Sequence, residues 1–166
     1  MRRVAFGLGA NLGAAQAALQ GAVDQLAPHL IRPAVSSVYE TVPVGGPAQP
    51  DYLNAVLVGE SDEPAEVLLA RAHDAEALWL RTREVRWGPR TLDVDLLAVG
   101  HETSTDPGLL LPHPRAHERA FVLVPWGEVD PQAEIPGAGP VVGLAAYAAT
   151  SAGVRRRPDL TLTVPG

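Results

Sequence analysis

The chain has 166 residues, 46% of them apolar and 19% charged, with a formal net charge of −6. That length and apolar content fit one globular domain over 1–166, and the negative balance leaves no broad positive field for a polyanion such as DNA. Cysteine is absent, which excludes disulfides, thiolate metal centres and thiol nucleophiles and fits a cytoplasmic location, and no apolar run is long enough to span a membrane.

Residues Arg3 to Gly9 predict a short strand ending at glycine, and Ala14 to Leu26 a helix closed by Pro28. GLGANLG, where the two meet, reads as a tight strand-to-helix turn: its glycine spacing is not a dinucleotide fingerprint, and no Walker-type loop exists. Ile31 to Tyr39 and Leu53 to Gly59 are the next extended runs, separated by the Pro/Gly-rich loop TVPVGGPAQPD. Pro64 to Trp79 predicts a helix with Val67, Leu68, Ala75 and Leu78 as its apolar stripe. A polar loop, RTREVRWGPR, leads to a strand from Thr91 to Val99. Glu118 to Val129 predicts a helix bent at Pro125, Val141 to Ala149 a last short helix, and Leu160 to Val164 an edge strand. The order β, α, β, β, α, β, with helical additions at its C-terminal end, is that of an α+β, ferredoxin-like antiparallel sheet with helices on one face.

On the strand TLDVDLL, Leu92, Val94 and Leu96 share one face, while Asp93 and Asp95 share the other, about 7 Å apart along the chain. Alone, such a pair is most often a solvated sheet face. Two carboxylates held side by side nevertheless repel unless a cation lies between them, and Mg²⁺ takes one or two carboxylates together with phosphate oxygens and water. All 13 basic residues are arginine, and the guanidinium fork suits phosphate oxygens. Arg81, Arg83, Arg86 and Arg90 precede the aspartates, and Arg115 and Arg119 follow them. A solvated loop of weak ion pairs is the plainer account of those arginines, but metal carboxylates beside phosphate-binding arginines are what phosphoryl transfer requires.

His113 and His117 are spaced for one helix face, yet Pro112 and Pro114 flank the first, which disfavours a zinc pair on a helix. His113 is equally an ordinary loop residue or a donor to a phosphate oxygen. Val42, Pro43, Val44, Tyr52, Asn54, Trp87 and Phe121 are by default packing residues. Tyr52 and Asn54, however, share a strand face, and an asparagine amide offers a donor and an acceptor to a planar heterocycle.

In four blocks the sequence resembles the 6-hydroxymethyl-7,8-dihydropterin pyrophosphokinase family of folate biosynthesis. These are GLGANLG, SSVYETVPVGGPAQPDYLNAV, RWGPRTLDVDLL and LPHPRAHERAFVLVPW, running from Gly7 to Trp126. The resemblance implies a ferredoxin-like fold and an ATP-dependent transferase that passes pyrophosphate to the pterin's hydroxymethyl oxygen and releases AMP. It implies Asp93 and Asp95 as ligands of two Mg²⁺ ions, with Arg90 and Arg81 or Arg83 neutralising phosphates. Arg90, Leu96, His73, His113 and Arg119 would face ATP. Val42, Pro43, Val44, Tyr52, Asn54, Trp87 and Phe121 would enclose the pterin, with Asn54 bonding its amide edge. Trp79 and Leu80 depart from the glycine common before the first loop arginine, and Gly108 stands where relatives carry arginine. The expected partners are these two small molecules, with no nucleic acid and no membrane, and the expected state is a monomer. The competing reading is a non-catalytic ferredoxin-like module that binds a pterin or a partner. A two-metal nuclease would also use paired aspartates, but it needs a basic track.

Overall fold

The computed structural model describes residues 1–11, 14–42, 52–82, 92–149 and 153–165. The fold is mixed α/β. An antiparallel sheet is built from β1 (Arg2–Asn11), β2 (Ile31–Val35), β3 (Tyr39–Val42), β4 (Tyr52–Ser61), β5 (Leu92–Val99) and a late strand, Gly153–Arg156. Four helices pack on it: α1 (Ala15–Leu26), α2 (Ala65–Thr82), α3 (Ala120–Val129) and α4 (Val141–Ala149). From one edge the sheet runs through the late strand, β3, β4, β1 and β5, with β2 also on β4.

Residue alternation assigns the two faces. Val4, Phe6, Leu8 and Ala10 of β1, Leu53 and Leu57 of β4, and Leu92, Val94 and Leu96 of β5 form a core with α1 and α2. Helix α1 faces them with Ala15, Ala18, Leu19, Ala22, Val23 and Leu26, the spacing of a single helical stripe. On α2 the buried stripe is Ala65, Leu68, Ala72, Ala75 and Trp79. Val67, expected inside, is on the exposed side, and Leu78 is only half-buried.

Helices α3 and α4 cover the other face, where Ala5, Val56, Val58, Leu97 and Ala98 meet Val122, Leu123, Trp126 and Val141. Helices therefore lie on both faces of the sheet, not on one. A bulge in β5 adds Ala98 to that face: Phe6 pairs with Leu96 and Ala5 with Ala98, so Leu97 is the extra residue. Leu97 and Ala98 then both point into the second core, and Val99 returns to the first.

The extended run expected over Ile31 to Tyr39 is divided. Both parts lie on β4, but between them the Ser36 N–H donates to the Val56 carbonyl and Ser36 Oγ accepts the Val56 N–H, each at 2.9 Å. The edge strand expected over Leu160 to Val164 is not formed. The late strand, Gly153–Arg156, takes the outer edge of β3 instead, and residues 160–164 lie across α1. Two small hairpins follow β5 that the sequence pattern did not predict: β6 (Ser104–Asp106) with β7 (Leu109–Leu111), and β8 (Glu134–Ile135) with β9 (Gly139–Pro140). The late strand is accordingly β10. No described helix is long and apolar enough to cross a membrane.

Candidate active site

The candidate residues of the strands gather on the face of the sheet turned toward α3. Across it, Asp93, Gly9, Asn54 and Tyr39 stand abreast on β5, β1, β4 and β3, and Asp95, Gly7 and Val56 form the next row. Gly7 and Gly9 thus lie inside β1 and do not form the turn expected of GLGANLG. Lacking side chains, they form a backbone floor against which Leu97 and Tyr52 lie. A methyl group on Gly9 would sit 2.5 Å from Tyr52 Cε1 and 3.1 Å from Asn54 Oδ1, because Tyr52 lies over that position.

Above this floor is a cavity of about 330 Å³ lined by Gly7, Gly9, Tyr52, Asn54, Asp93, Asp95, Arg119 and Phe121. It unites two expected metal ligands with three residues expected around a flat ring. Arg119, expected to face ATP, also lines it, with its guanidinium carbon 5.7 Å from the centre of the Phe121 ring. The Asn54 amide is fixed: its Nδ2 donates to Thr41 Oγ1 at 2.8 Å. The Tyr52 hydroxyl donates to Asp93.

A second cavity, about 350 Å³, opens on the other side of Asp95 and is lined by Leu69, His73, Val94, Leu96, Gly108, Leu109, Leu110 and His113. It unites Leu96, His73 and His113, three residues expected to face ATP. Asp95 lines both cavities.

The His113 N–H donates to the carbonyl of Leu97, the bulge residue, at 2.9 Å, which anchors the imidazole beside β5. Burial, foremost, and the charges of Arg119 and Arg115 hold its pKa below the usual 6.5, against the opposing pull of Asp95. Its Nδ1 accepts the Arg115 N–H at 3.3 Å, so in the neutral ring the proton resides on Nε2, where it can be donated. His117 lies 3.6 Å from Glu118, and no cluster of three metal-ligating side chains occurs among the described residues.

Glu76 on α2 was not expected at the site. Its Oε2 accepts the Val94 N–H, between the two aspartates, at 2.9 Å. Burial raises its pKa, with Asp93 and Asp95 adding to the rise and the Val94 N–H and His73 opposing it. The only sequence hint of the glycine floor was alternation of glycine within a β-type run; Glu76 left none.

Pro43, Val44, Arg83, Trp87 and Arg90 lie outside the described residues, as do the side chains of Val42, which ends β3, and Arg81, in the last turn of α2. A larger cavity, about 720 Å³, lies near the far end of α3 around Arg3, His101, Trp126 and Asp130. Of the carboxylates that line it, Asp130 is bonded to Arg3 at 3.2 Å and Glu60 is paired with Arg32.

Residues 5–131 match the family described as 7,8-dihydro-6-hydroxymethylpterin-pyrophosphokinase (HPPK). A Mycobacterium tuberculosis protein named 2-amino-4-hydroxy-6-hydroxymethyldihydropteridine pyrophosphokinase is 45% identical over 150 residues, covering 84% of this chain and 78% of that protein. A Bacillus subtilis protein of the same name is 44% identical over 138 residues, covering 81% and 82%. The crystal structure of wild-type Plasmodium falciparum HPPK-DHPS superposes with a TM-score of 0.68 at 13% identity. That match covers 90% of this chain but only 45% of the other, and it speaks to the fold alone.

Proposed function

The chain belongs to the 7,8-dihydro-6-hydroxymethylpterin-pyrophosphokinase family, and from that premise we propose that it transfers pyrophosphate from ATP to the hydroxymethyl group of 6-hydroxymethyl-7,8-dihydropterin, releasing AMP, in folate biosynthesis. The carrying observation is the position of Asp95, which lines both a slot fit for a flat ring and a second, separate cavity. Two substrates seated in those cavities would meet at the carboxylates. We further read the order β3, β4, β1, β5 as ferredoxin-like with α3 and α4 added on the second face, and the protein as a cytoplasmic monomer comprising one domain over 1–166.

In this reading the pterin lies in the slot between Tyr52 and Phe121, above the Gly7–Gly9 stretch of β1. Asn54 bonds its amide edge with the oxygen that Thr41 leaves free. The nucleotide occupies the second cavity, His73 and Leu96 lining its side, and His113 donates Nε2–H to a phosphate oxygen. Arg119 reaches the phosphates from the slot side, and Arg81, Arg83 and Arg90 add positive charge from the neighbouring segment. Val42, Pro43, Val44 and Trp87 complete the pterin enclosure. Attack at the β-phosphorus needs in-line approach and neutralised oxygens more than a strong base, so the residues act chiefly by holding two molecules in register and spreading charge.

The donor set fits Mg²⁺. Asp93 and Asp95 are hard oxygen donors on one strand, and Mg²⁺ is commonly held by one or two carboxylates with phosphate oxygens and water completing its shell. When bound there with ATP, two such ions would neutralise phosphate oxygens and lower the pKa of the attacking hydroxyl. Leu92, Val94 and Leu96, buried beneath, hold the two carboxylates in place.

The product decides the matter. We expect Mg²⁺-dependent AMP formation from ATP only when hydroxymethyldihydropterin is added. Release of ADP, or pterin binding without turnover, would instead support another transferase or the non-catalytic module.

A further inference from the structure

Glu40 is a carboxylate with only 3% of its surface exposed, and it lines neither cavity. It sits on β3, whose four residues are paired along their outer edge by β10: Val42 with Gly153, Thr41 with Val154, Glu40 with Arg155 and Tyr39 with Arg156. Arg155 Nη2 donates to Glu40 Oε2 at 2.5 Å, and Arg157 Nη1 lies 3.6 Å from the same oxygen. The Arg157 N–H donates to the Val38 carbonyl at 2.8 Å.

Beyond Arg157 the chain is tied across α1. Gln16 and Gln20 donate to the carbonyls of Thr161 and Thr163, and the Thr163 N–H returns a bond to Gln20 at 3.0 Å. Leu160, Leu162 and Val164 pack against the first core. The segment 153–165 itself lies outside the residues matched to the family, 5–131.

Among the described residues, β3 meets β4 through three residue pairs, Tyr39 with Asn54, Glu40 with Leu53 and Thr41 with Tyr52. Two of those partners, Asn54 and Tyr52, line the slot, and Thr41 holds the Asn54 amide by its Nδ2. That bond fixes which amide atom faces the cavity: Oδ1 lies toward Gly9. A buried carboxylate bonded to arginine adds little net stability over an apolar pair, but it penalises wrong registers heavily, because each would leave the charge unpaired.

We propose that Glu40 is a positioning residue for the pterin slot: its hydrogen bond from Arg155 and its longer ion pair with Arg157 make residues 153–165 a clamp that sets β3, and thereby Thr41 and Asn54. The proposal rests on the reading of Asn54 as the pterin contact. The segment after the family-matched region then contributes to substrate affinity without touching substrate.

The test is steady-state kinetics on Glu40→Gln, Arg155→Ala, their double variant and Asn54→Ala, each first checked for cooperative thermal unfolding. For Glu40→Gln and Arg155→Ala, KM for the pterin should rise roughly three- to tenfold, the scale of one misplaced hydrogen bond. The kcat and the KM for ATP should stay at wild-type values, and the double variant should be no worse than the singles. If Glu40→Gln does not fold, Arg155→Ala gives the same reading, since the Arg155 side chain is 67% exposed. Unchanged pterin KM in folded variants overturns the proposal, as does a parallel rise in the KM for ATP. Asn54→Ala separates the two failures. If it raises pterin KM while Glu40→Gln does not, Glu40 has no positioning role and the slot reading stands. If Asn54→Ala has no effect, the slot reading falls and the proposal with it.

Discussion

At the scale of single residues, Asp95 lines both cavities, and under the proposed function its loss should be felt in chemistry more than in pterin binding. Asp95→Ala is expected to lower kcat by roughly a thousandfold or more, the scale of removing an electrostatic stabiliser of a transition state. Calorimetry should find the pterin's affinity largely retained; near-normal turnover would remove Asp95 from the metal site. Gly9 carries a different kind of constraint. Gly9→Ala pushes a methyl group to 2.5 Å from Tyr52 Cε1, an overpacking that costs about 1–3 kcal/mol. It should raise the pterin KM far more than Gly7→Ala, whose added methyl would meet only the flexible tip of Leu97 at 3.2 Å. Asp93, Asp95, Tyr52 and Asn54 were legible in the sequence because polar residues alternating along apolar strands must share a face. Glu76 was not, because its role depends on α2 lying along the free edge of β5, and tertiary packing of that kind leaves no mark in local spacing.

At the scale of elements, most of the sheet and all four helices could be read from periodicity and from Pro and Gly positions. The failures have local physical causes. The division between β2 and β3 hinges on a single hydroxyl: Ser36 Oγ takes the Val56 N–H that a strand carbonyl would otherwise accept. Ser36→Ala should therefore leave that buried N–H without its acceptor and destabilise the protein by about 1–3 kcal/mol, measurable by urea unfolding. An unchanged midpoint would mean that the two strands merge without cost. The stripe of α2 was misphased because Val67 and Leu68 are both apolar, and only docking against β5 and α1 selects Leu68. Coverage of the second face was hidden by the bulge at Leu97, which turns consecutive apolar residues the same way. The late edge strand forms at Gly153–Arg156, where Arg155 reaches Glu40 on β3, a long-range contact that leaves no mark in local spacing.

For the whole molecule, the site's charges leave a signature in stability. His113 has a pKa below 6.5 in the folded chain. As pH falls through 6.5 the unfolded chain takes up a proton that the folded chain refuses, so stability drops. Glu76 acts in the opposite sense: its raised folded pKa means that the folded chain gains a proton first on acidification, and its destabilising charge is felt at neutral pH. In metal-free protein, Glu76→Gln should raise Tm at pH 7.5, with the advantage shrinking as pH is lowered toward the raised pKa. His113→Gln should flatten the fall in Tm below pH 6.5. Parallel Tm–pH curves for both variants and the wild type would contradict this account.

The backbone floor under the slot also has a consequence for any small molecule made to block it. Resistance to an inhibitor commonly arises from a side chain that grows into its space. At Gly9 the smallest such change already collides with Tyr52, so, with the pterin seated as proposed, a substitution there that displaced a compound from that stretch of β1 would disturb the substrate's own slot as well.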